Sequence, residues 1–248
     1  MKNDNAIQAV ILAGGLGTRL RPITRKIPKG LVEVTGKPFL EYQISFLKKS
    51  GIEDILICVG YLGEQIVDYF GSGSDFGVRI DYSREDRPLG TGGALKLALP
   101  KLAEEFFLLN GDTYLPADFA RMVKAFSGSE ETGLIGVYPV FGTGIEANLR
   151  VEKEGMISGC AADTEPGDLD YADAGIRIFR RDLADFFPAG EGFSLEKDCY
   201  PSLIRAGKIR AWPIHQRFYD IGTPDRLREF ENYLKNRSPR SNQERRGG

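Results

Sequence analysis

Leu12-Ala13-Gly14-Gly15-Leu16-Gly17-Thr18-Arg19-Leu20-Arg21-Pro22-Ile23-Thr24-Arg25-Lys26-Ile27-Pro28-Lys29 is the stretch on which the reading of this chain turns. It follows the apolar run Ala9-Val10-Ile11-Leu12, so it begins where a buried strand should end, and it holds Gly14, Gly15 and Gly17 within four positions. Glycine permits positive φ and close approach of the backbone to a ligand. Exposed amide donors after a strand make a natural cradle for phosphate. Two cations, Arg19 and Lys29, follow the glycines, and together these features point to a polyphosphate. Two common phosphate loops are excluded. The dinucleotide fingerprint fails because Leu20 stands where its third glycine belongs, and the P-loop fails because Lys29 lies between Pro28 and Gly30.

Outward from this stretch, 248 residues are ample for one sizeable core, and 42% hydrophobic with 27% charged residues is the balance of an ordinary globular protein. A formal net charge of −2 argues against a nucleic-acid partner. Cys58, Cys160 and Cys199 are odd in number and far apart, so they read as small buried hydrophobes rather than a disulfide or metal framework. No signal-like segment and no run near the roughly 18 apolar residues of a membrane span is present, so the expectation is no membrane partner and a cytoplasmic location. A homo-oligomer is compatible with the sequence.

The first half alternates strand and helix signals. Residues 39–50 repeat apolar positions at helical spacing and end at Gly51; 54–60 read as a strand; 62–70 as a helix with Ile66, Tyr69 and Phe70 on one face; 78–82 as a strand. Arg87-Pro88-Leu89-Gly90-Thr91-Gly92-Gly93 reads as a second glycine loop before a helix over 94–99. The very apolar Phe106-Phe107-Leu108-Leu109 stops at Asn110-Gly111-Asp112, which sets Asp112 at the carboxyl end of a strand, where open α/β sheets place ligands. Beyond Thr132 come shorter extended pieces (134–140, 149–151, 171–179, 209–214) and helical patterns over 182–187 and 195–206. A last helix starts at Thr223-Pro224. The reading is one domain over 1–235, with a nucleotide half (1–130), an acceptor half (131–235) and a disordered tail over 236–248.

The opening stretch resembles the signature G-G-x-G-T-R-L-x-P-x-T-x-x-x-P-K of sugar-1-phosphate nucleotidyltransferases. The resemblance continues at Pro88–Gly93, Leu108–Asp112, Asp173–Ile176, Ser194–Asp198 and Tyr219–Pro224. It implies an α/β, Rossmann-like three-layer α/β/α nucleotidyltransferase (GT-A-like) fold with a mostly parallel mixed central sheet. It also implies a nucleoside triphosphate and a sugar 1-phosphate as substrates, and Mg²⁺ as cofactor. On this resemblance Leu12, Ala13, Gly14, Gly15, Gly17, Thr18, Leu89, Gly90, Thr91 and Gly111 hold the nucleotide. Arg19, Lys29, Asp112 and Asp220 are catalytic, with Asp112 and Asp220 on the metal. Asp173, Gly175, Glu196 and Lys197 hold the sugar phosphate.

Taken alone, Arg19 and Lys29 read equally well as solvated cations and Glu196-Lys197 reads better as an exposed helical turn, while Asp112 as only a turn residue and Asp220 as only a turn cap are the lesser readings. Gly30 stands where the family often has proline, which predicts a freer loop after Lys29. The Pro-Leu-Gly-Thr-Gly-Gly-Ala form is more similar to guanylyltransferases of the mannose and heptose type than to thymidylyl or uridylyl relatives, so GTP and a manno-configured sugar are expected. The competing readings are those thymidylyl, uridylyl and mannose enzymes, a cytidylyltransferase, and a non-catalytic nucleotide-sugar sensor.

Overall fold

Ala9 and Ile11 point to one side of their strand and Val10 to the other, and all three are fully buried. A strand apolar on both faces requires a helical layer above and below it. The computed structural model describes residues 7–237 and supplies those layers. In chain order the first elements are β1 (Gln8–Leu12), β2 (Glu33–Val34), β3 (Lys37–Pro38), α1 (Phe39–Lys49), β4 (Asp54–Val59), α2 (Gly63–Phe70), β5 (Arg79–Arg84) and α3 (Gly90–Ala98). Next are β6 (Glu105–Asn110), β7 (Thr113–Tyr114), α4 (Phe119–Phe126), β8 (Gly133–Pro139), β9 (Leu149–Val151) and β10 (Ile157–Cys160). The chain finishes with β11 (Tyr171–Arg180), α5 (Tyr200–Arg205), β12 (Ile209–Pro213), β13 (Tyr219–Asp220) and α6 (Pro224–Arg237).

One nine-stranded sheet runs β10-β9-β11-β6-β1-β4-β5, with β8 on β11 and β12 on β8. The strands β6, β1, β4 and β5 are parallel; β11 then joins antiparallel to β6. Helices α1, α2 and α4 cover one face through Leu40, Ile44, Ile66, Phe70 and Met122. The other face is covered by α3 and α5 through Leu95, Ala98 and Leu203. A third, smaller core packs α6 on the opening stretch: Phe230 is fully buried against Leu20, Val32, Val34, Phe39 and Ile221. The expected three-layer α/β/α fold and buried cysteines are borne out.

The pairing of β11 with β8 is irregular. Between Asp173 and Arg177 β11 advances four residues, while β8 advances two, from Val137 to Ile135. Gly175 sits in this bulge with φ 77°.

Several expectations change. Gly90 to Gly93 are not loop but the first turn of α3. A side chain on Gly92 would collide with the Phe193 ring, so these glycines allow close approach of helix to neighbour rather than unwinding the chain. Gly30 is buried in a tight turn, where an added Cβ would lie 2.5 Å from Leu40 Cδ1; its loop is packed, not freer. Tyr69 is 45% exposed, off the buried face of α2. The pattern over 195–206 is a π turn followed by α5, and that over 182–187 is a 3-10 segment. α4 and β10 are additions to the sequence reading. Asn236 belongs to α6, and residues 238–248 of the expected tail lie outside the described residues.

Candidate active site

A cleft of about 370 Å³ opens at the carboxyl ends of β1, β4 and β6. Of the residues singled out in the sequence, Leu12, Ala13, Gly14, Gly15, Gly17, Lys29, Gly90, Thr91, Gly111, Asp112 and Glu196 line it. Gly17 turns the loop with φ 58°, a left-handed conformation that favours glycine. The buried Thr24 fixes that turn, its hydroxyl donating to the Gly17 carbonyl at 2.7 Å. Gly15 and Leu16 make no hydrogen bond among the described residues, and Gly14 and Gly17 use only their carbonyls. Four successive amide donors are therefore left for a ligand, the property a phosphate cradle needs.

Lys29 crosses the cleft mouth to Asp112, Nζ to Oδ2 at 2.6 Å. The other oxygen, Oδ1, accepts from the Thr113 hydroxyl at 3.1 Å. Asp220 reaches the same place through backbone: β13 pairs with β7, setting Asp220 opposite Thr113, and Ile221 N–H donates to the Asp112 carbonyl at 2.9 Å. Asp220 Oδ1 accepts from Gly222 N–H at 2.8 Å, so it does make the turn before α6, while Oδ2 accepts from Arg226 at 2.8 Å. Exposed Arg19 comes to the same corner; a Cβ added to Gly222 would lie 2.7 Å from Asp220 Oδ1 and 3.1 Å from Arg19 Nη2. Asp112, in the turn just before β7, and Asp220, on the paired strand β13, are hard oxygen donors, the chemistry Mg²⁺ prefers. Among the described residues no group of three or more His, Cys, Asp or Glu side chains assembles. A bound ion would therefore take its remaining ligands from phosphate and water, as Mg²⁺ commonly does, and the donor set fits it.

Glu196 enters the cleft from the acceptor half. Its Oε2 accepts from the Thr91 hydroxyl at 2.6 Å and the Ser194 hydroxyl at 3.0 Å, and its Oε1 accepts from Arg177 Nη2 at 3.2 Å. Burial pushes this carboxyl up, but the Arg177 charge and the hydrogen bonds outweigh burial and hold it below its ordinary value. Lys197, in contrast, is exposed and outside the cleft, with no side-chain partner among the described residues. Asp173 is also outside it. Its side chain is only 5% exposed and is committed to Arg177 (2.8 Å), Tyr200 OH (3.0 Å) and Gly175 N–H (2.9 Å).

Glu85, just past β5, also forms part of the cleft wall. Its Oε2 accepts from Leu89 N–H at 3.2 Å, and a Cβ added to Gly14 would lie 2.6 Å from its Oε1. Burial raises its pKa. Leu89 itself faces a neighbouring surface hollow, not the cleft, and contributes through its backbone, whose carbonyl accepts from Phe193 N–H at 2.9 Å. Cys58 also lines the cleft, but burial, reinforced by Glu85, pushes its thiol up to about 12, which removes it as a nucleophile.

The nucleotidyl transferase family profile matches residues 8–143, more than half of the chain. This chain belongs to the nucleotidyl transferase family. It is 32% identical over 241 residues to D-glycero-alpha-D-manno-heptose 1-phosphate guanylyltransferase of Campylobacter jejuni, covering 90% of this chain and 98% of that one. The same-named protein of Aneurinibacillus thermoaerophilus is 32% identical over 243 residues, covering 92% and 99%. The crystal structure of HddC from Yersinia pseudotuberculosis superposes with a TM-score of 0.78 at 27% identity, covering 92% of this chain and 99% of that one. A second HddC structure, complexed with GMP-PN, gives 0.75 at 26% identity over 92% and 99%.

Within this nucleotidyl transferase, sequence reasoning missed Thr24, Glu85, Asn110, Arg177 and Gly222. Thr24 lies inside the quoted signature, and Asn110 abuts Asp112, so both were within reach. Gly222 lies inside the quoted Tyr219–Pro224 stretch and was equally within reach, whereas Glu85 carries no local signal: its importance comes from neighbours distant in sequence.

Proposed function

We propose that this nucleotidyl transferase joins GTP to a D-glycero-α-D-manno-heptose 1-phosphate, giving GDP-heptose and pyrophosphate. The observation that carries the base is the Glu85 carboxylate on the cleft wall. Guanine presents two adjacent donors, N1–H and N2–H, to a carboxylate. Uracil and thymine present one N–H flanked by two carbonyls, and adenine and cytosine one donor beside an acceptor, so only guanine is matched. The sugar assignment leans on the two guanylyltransferases that this chain matches nearly end to end.

In this reading a sugar-phosphate oxygen attacks the α-phosphorus in line; that P–O bond forms as the bond to the bridging β-oxygen breaks and pyrophosphate departs. Both reactants are anions, so positioning and charge neutralisation supply most of the catalysis. The free amides of Gly14 to Gly17 hold the triphosphate, Arg19 faces the departing pyrophosphate, and Lys29 neutralises the reacting phosphates. Gly90, Thr91 and Gly111 border the nucleoside, and Glu196 accepts from sugar hydroxyls. Lys197, on the exposed rim, reaches in to the sugar phosphate. Asp112 and Asp220 would hold Mg²⁺, which supplies charge neutralisation between the two phosphates when bound.

Incubation with Mg²⁺, each of the common triphosphates and a panel of sugar 1-phosphates, followed by pyrophosphate release, tests this. GTP with the heptose phosphate should give the highest kcat/KM. Preference for UTP or dTTP would sink the base assignment, and nucleotide binding without pyrophosphate from any pair would make the protein a sensor.

A further inference from the structure

Arg177 is a large, charged side chain only 2% exposed, in the middle of β11, and is not among the residues that line the cleft. Burying a guanidinium is costly unless its donors are matched. Here they are matched by three groups from three parts of the chain. Nε and Nη2 reach Asp173 Oδ2, both at 2.8 Å; Nη1 donates to Asn110 Oδ1 at 2.9 Å; Nη2 also donates to Glu196 Oε1 at 3.2 Å. Asp173 is anchored in turn by Tyr200 OH and, through its backbone N–H, by Asn148 Oδ1 at 2.8 Å.

Two of the three acceptors, Asn110 and Glu196, line the cleft; the third, Asp173, does not. Arg177 thus stands behind the cleft with its fixed fork of donors aimed at two of its wall residues from opposite halves of the chain. Asn110 ends β6, directly before Gly111 and Asp112, and Glu196 is the second residue of the π turn before α5. A guanidinium is planar and pre-organised, so a fork that satisfies three partners also fixes the distances between them.

We propose that Arg177 is a positioning residue that sets Glu196 and Asn110 in register across the acceptor end of the cleft, so that its removal weakens the sugar phosphate and not the nucleotide. The proposal rests on reading Glu196 as an acceptor-side group. It assigns Asp173 a supporting role: Asp173 neutralises and orients Arg177 rather than touching a sugar itself.

Removing the arginine alone would leave Asp173 buried without its partner, a change that destabilises strongly. The test therefore uses the double variant Asp173→Asn/Arg177→Met, which removes both charges, and Arg177→Lys, which keeps the charge and loses the fork. KM for the sugar phosphate should rise by about tenfold or more in both, as expected for one or two lost charge-assisted hydrogen bonds, while KM for the triphosphate stays within about twofold. An equal rise in both KM values, or none in either, would overturn the proposal. Should the wild type prefer another triphosphate, the base assignment fails and the comparison is made with that pair. Carboxyl ¹³C NMR of Glu196, assigned by Glu196→Gln, needs no turnover: the Glu196 titration should move upward in the double variant, which removes the arginine charge, and an unmoved titration there would also overturn the proposal.

Discussion

Lys29 Nζ lies 2.6 Å from Asp112 Oδ2, joining the opening loop to the end of β6 across 83 positions of sequence. The side chains are 15% and 31% exposed, so water screens the pair and its contribution to stability is small, about 0–1 kcal/mol. A pair so placed serves the ligand more than the fold. Lys29→Met should lower kcat by about 100-fold or more, the usual effect of removing one charge from a phosphoryl transition state, with a melting temperature close to wild type. Pyrophosphate release and calorimetry on the same preparation check both.

Asp112→Asn and Asp220→Asn should each raise the Mg²⁺ concentration needed for half-maximal turnover. EDTA should abolish activity reversibly. Near-normal Mg²⁺ dependence in both variants would remove the metal assignment. Asp220→Asn should also loosen the start of α6, because Asp220 Oδ2 holds Arg226.

Glu85→Gln should reduce selectivity for GTP over UTP by about 10- to 100-fold, the discrimination carried by a bidentate base contact. pH provides a second check. Burial raises the Glu85 pKa above its ordinary 4.5, so between that value and the raised one the native state holds more protons than the unfolded chain. Stability from this group is full below the ordinary value and is lost as pH rises through the raised one. Glu85→Gln should accordingly be at least as stable as wild type at pH 7 and lose that advantage in acid. KM for GTP should rise as pH falls in the wild type and stay flat in the variant.

Gly222→Ala places a methyl group against Asp220 Oδ1 and Arg19 Nη2, both ends of flexible side chains. The Arg19 end moves aside cheaply and Asp220 gives up at most its bond from Gly222 N–H, so the melting temperature should fall only slightly. The displaced arginine and carboxylate should lower kcat by about tenfold, a loss of one transition-state contact. Unchanged kcat would show that Arg19 does not act from this corner.

The parallel strands were legible because their apolar runs are short, continuous and ended by glycine or polar residues. The cleft floor was legible because the signature concentrates its glycines and cations in one stretch. Gly90–Gly93 misled because glycine disfavours helix by about 1 kcal/mol per residue, and the close packing of Phe193 on Gly90 and Gly92 and of Glu191 on Gly93 explains why α3 accepts them. The pairing of Asp173 with Arg177 was not legible for a related reason. Both are charged residues in a strand pattern, and nothing local says that they are buried on each other, or that Arg177 also reaches Asn110, 67 positions away.

The bulge in β11 has a consequence for how this scaffold tolerates change. β11 gains two residues over β8 there, an even number, so Asp173 before it and Arg177 and Phe179 after it keep the same side, while Ala174, Ile176 and Ile178 keep the other. Residues can be inserted or deleted in pairs at Gly175 without turning the strand over. A single inserted residue would exchange Arg177 with its aliphatic neighbours and break the core. Length variation among descendants of this chain should therefore be even-numbered at this point, which lets the acceptor rim diversify while the sheet beneath it stays in frame.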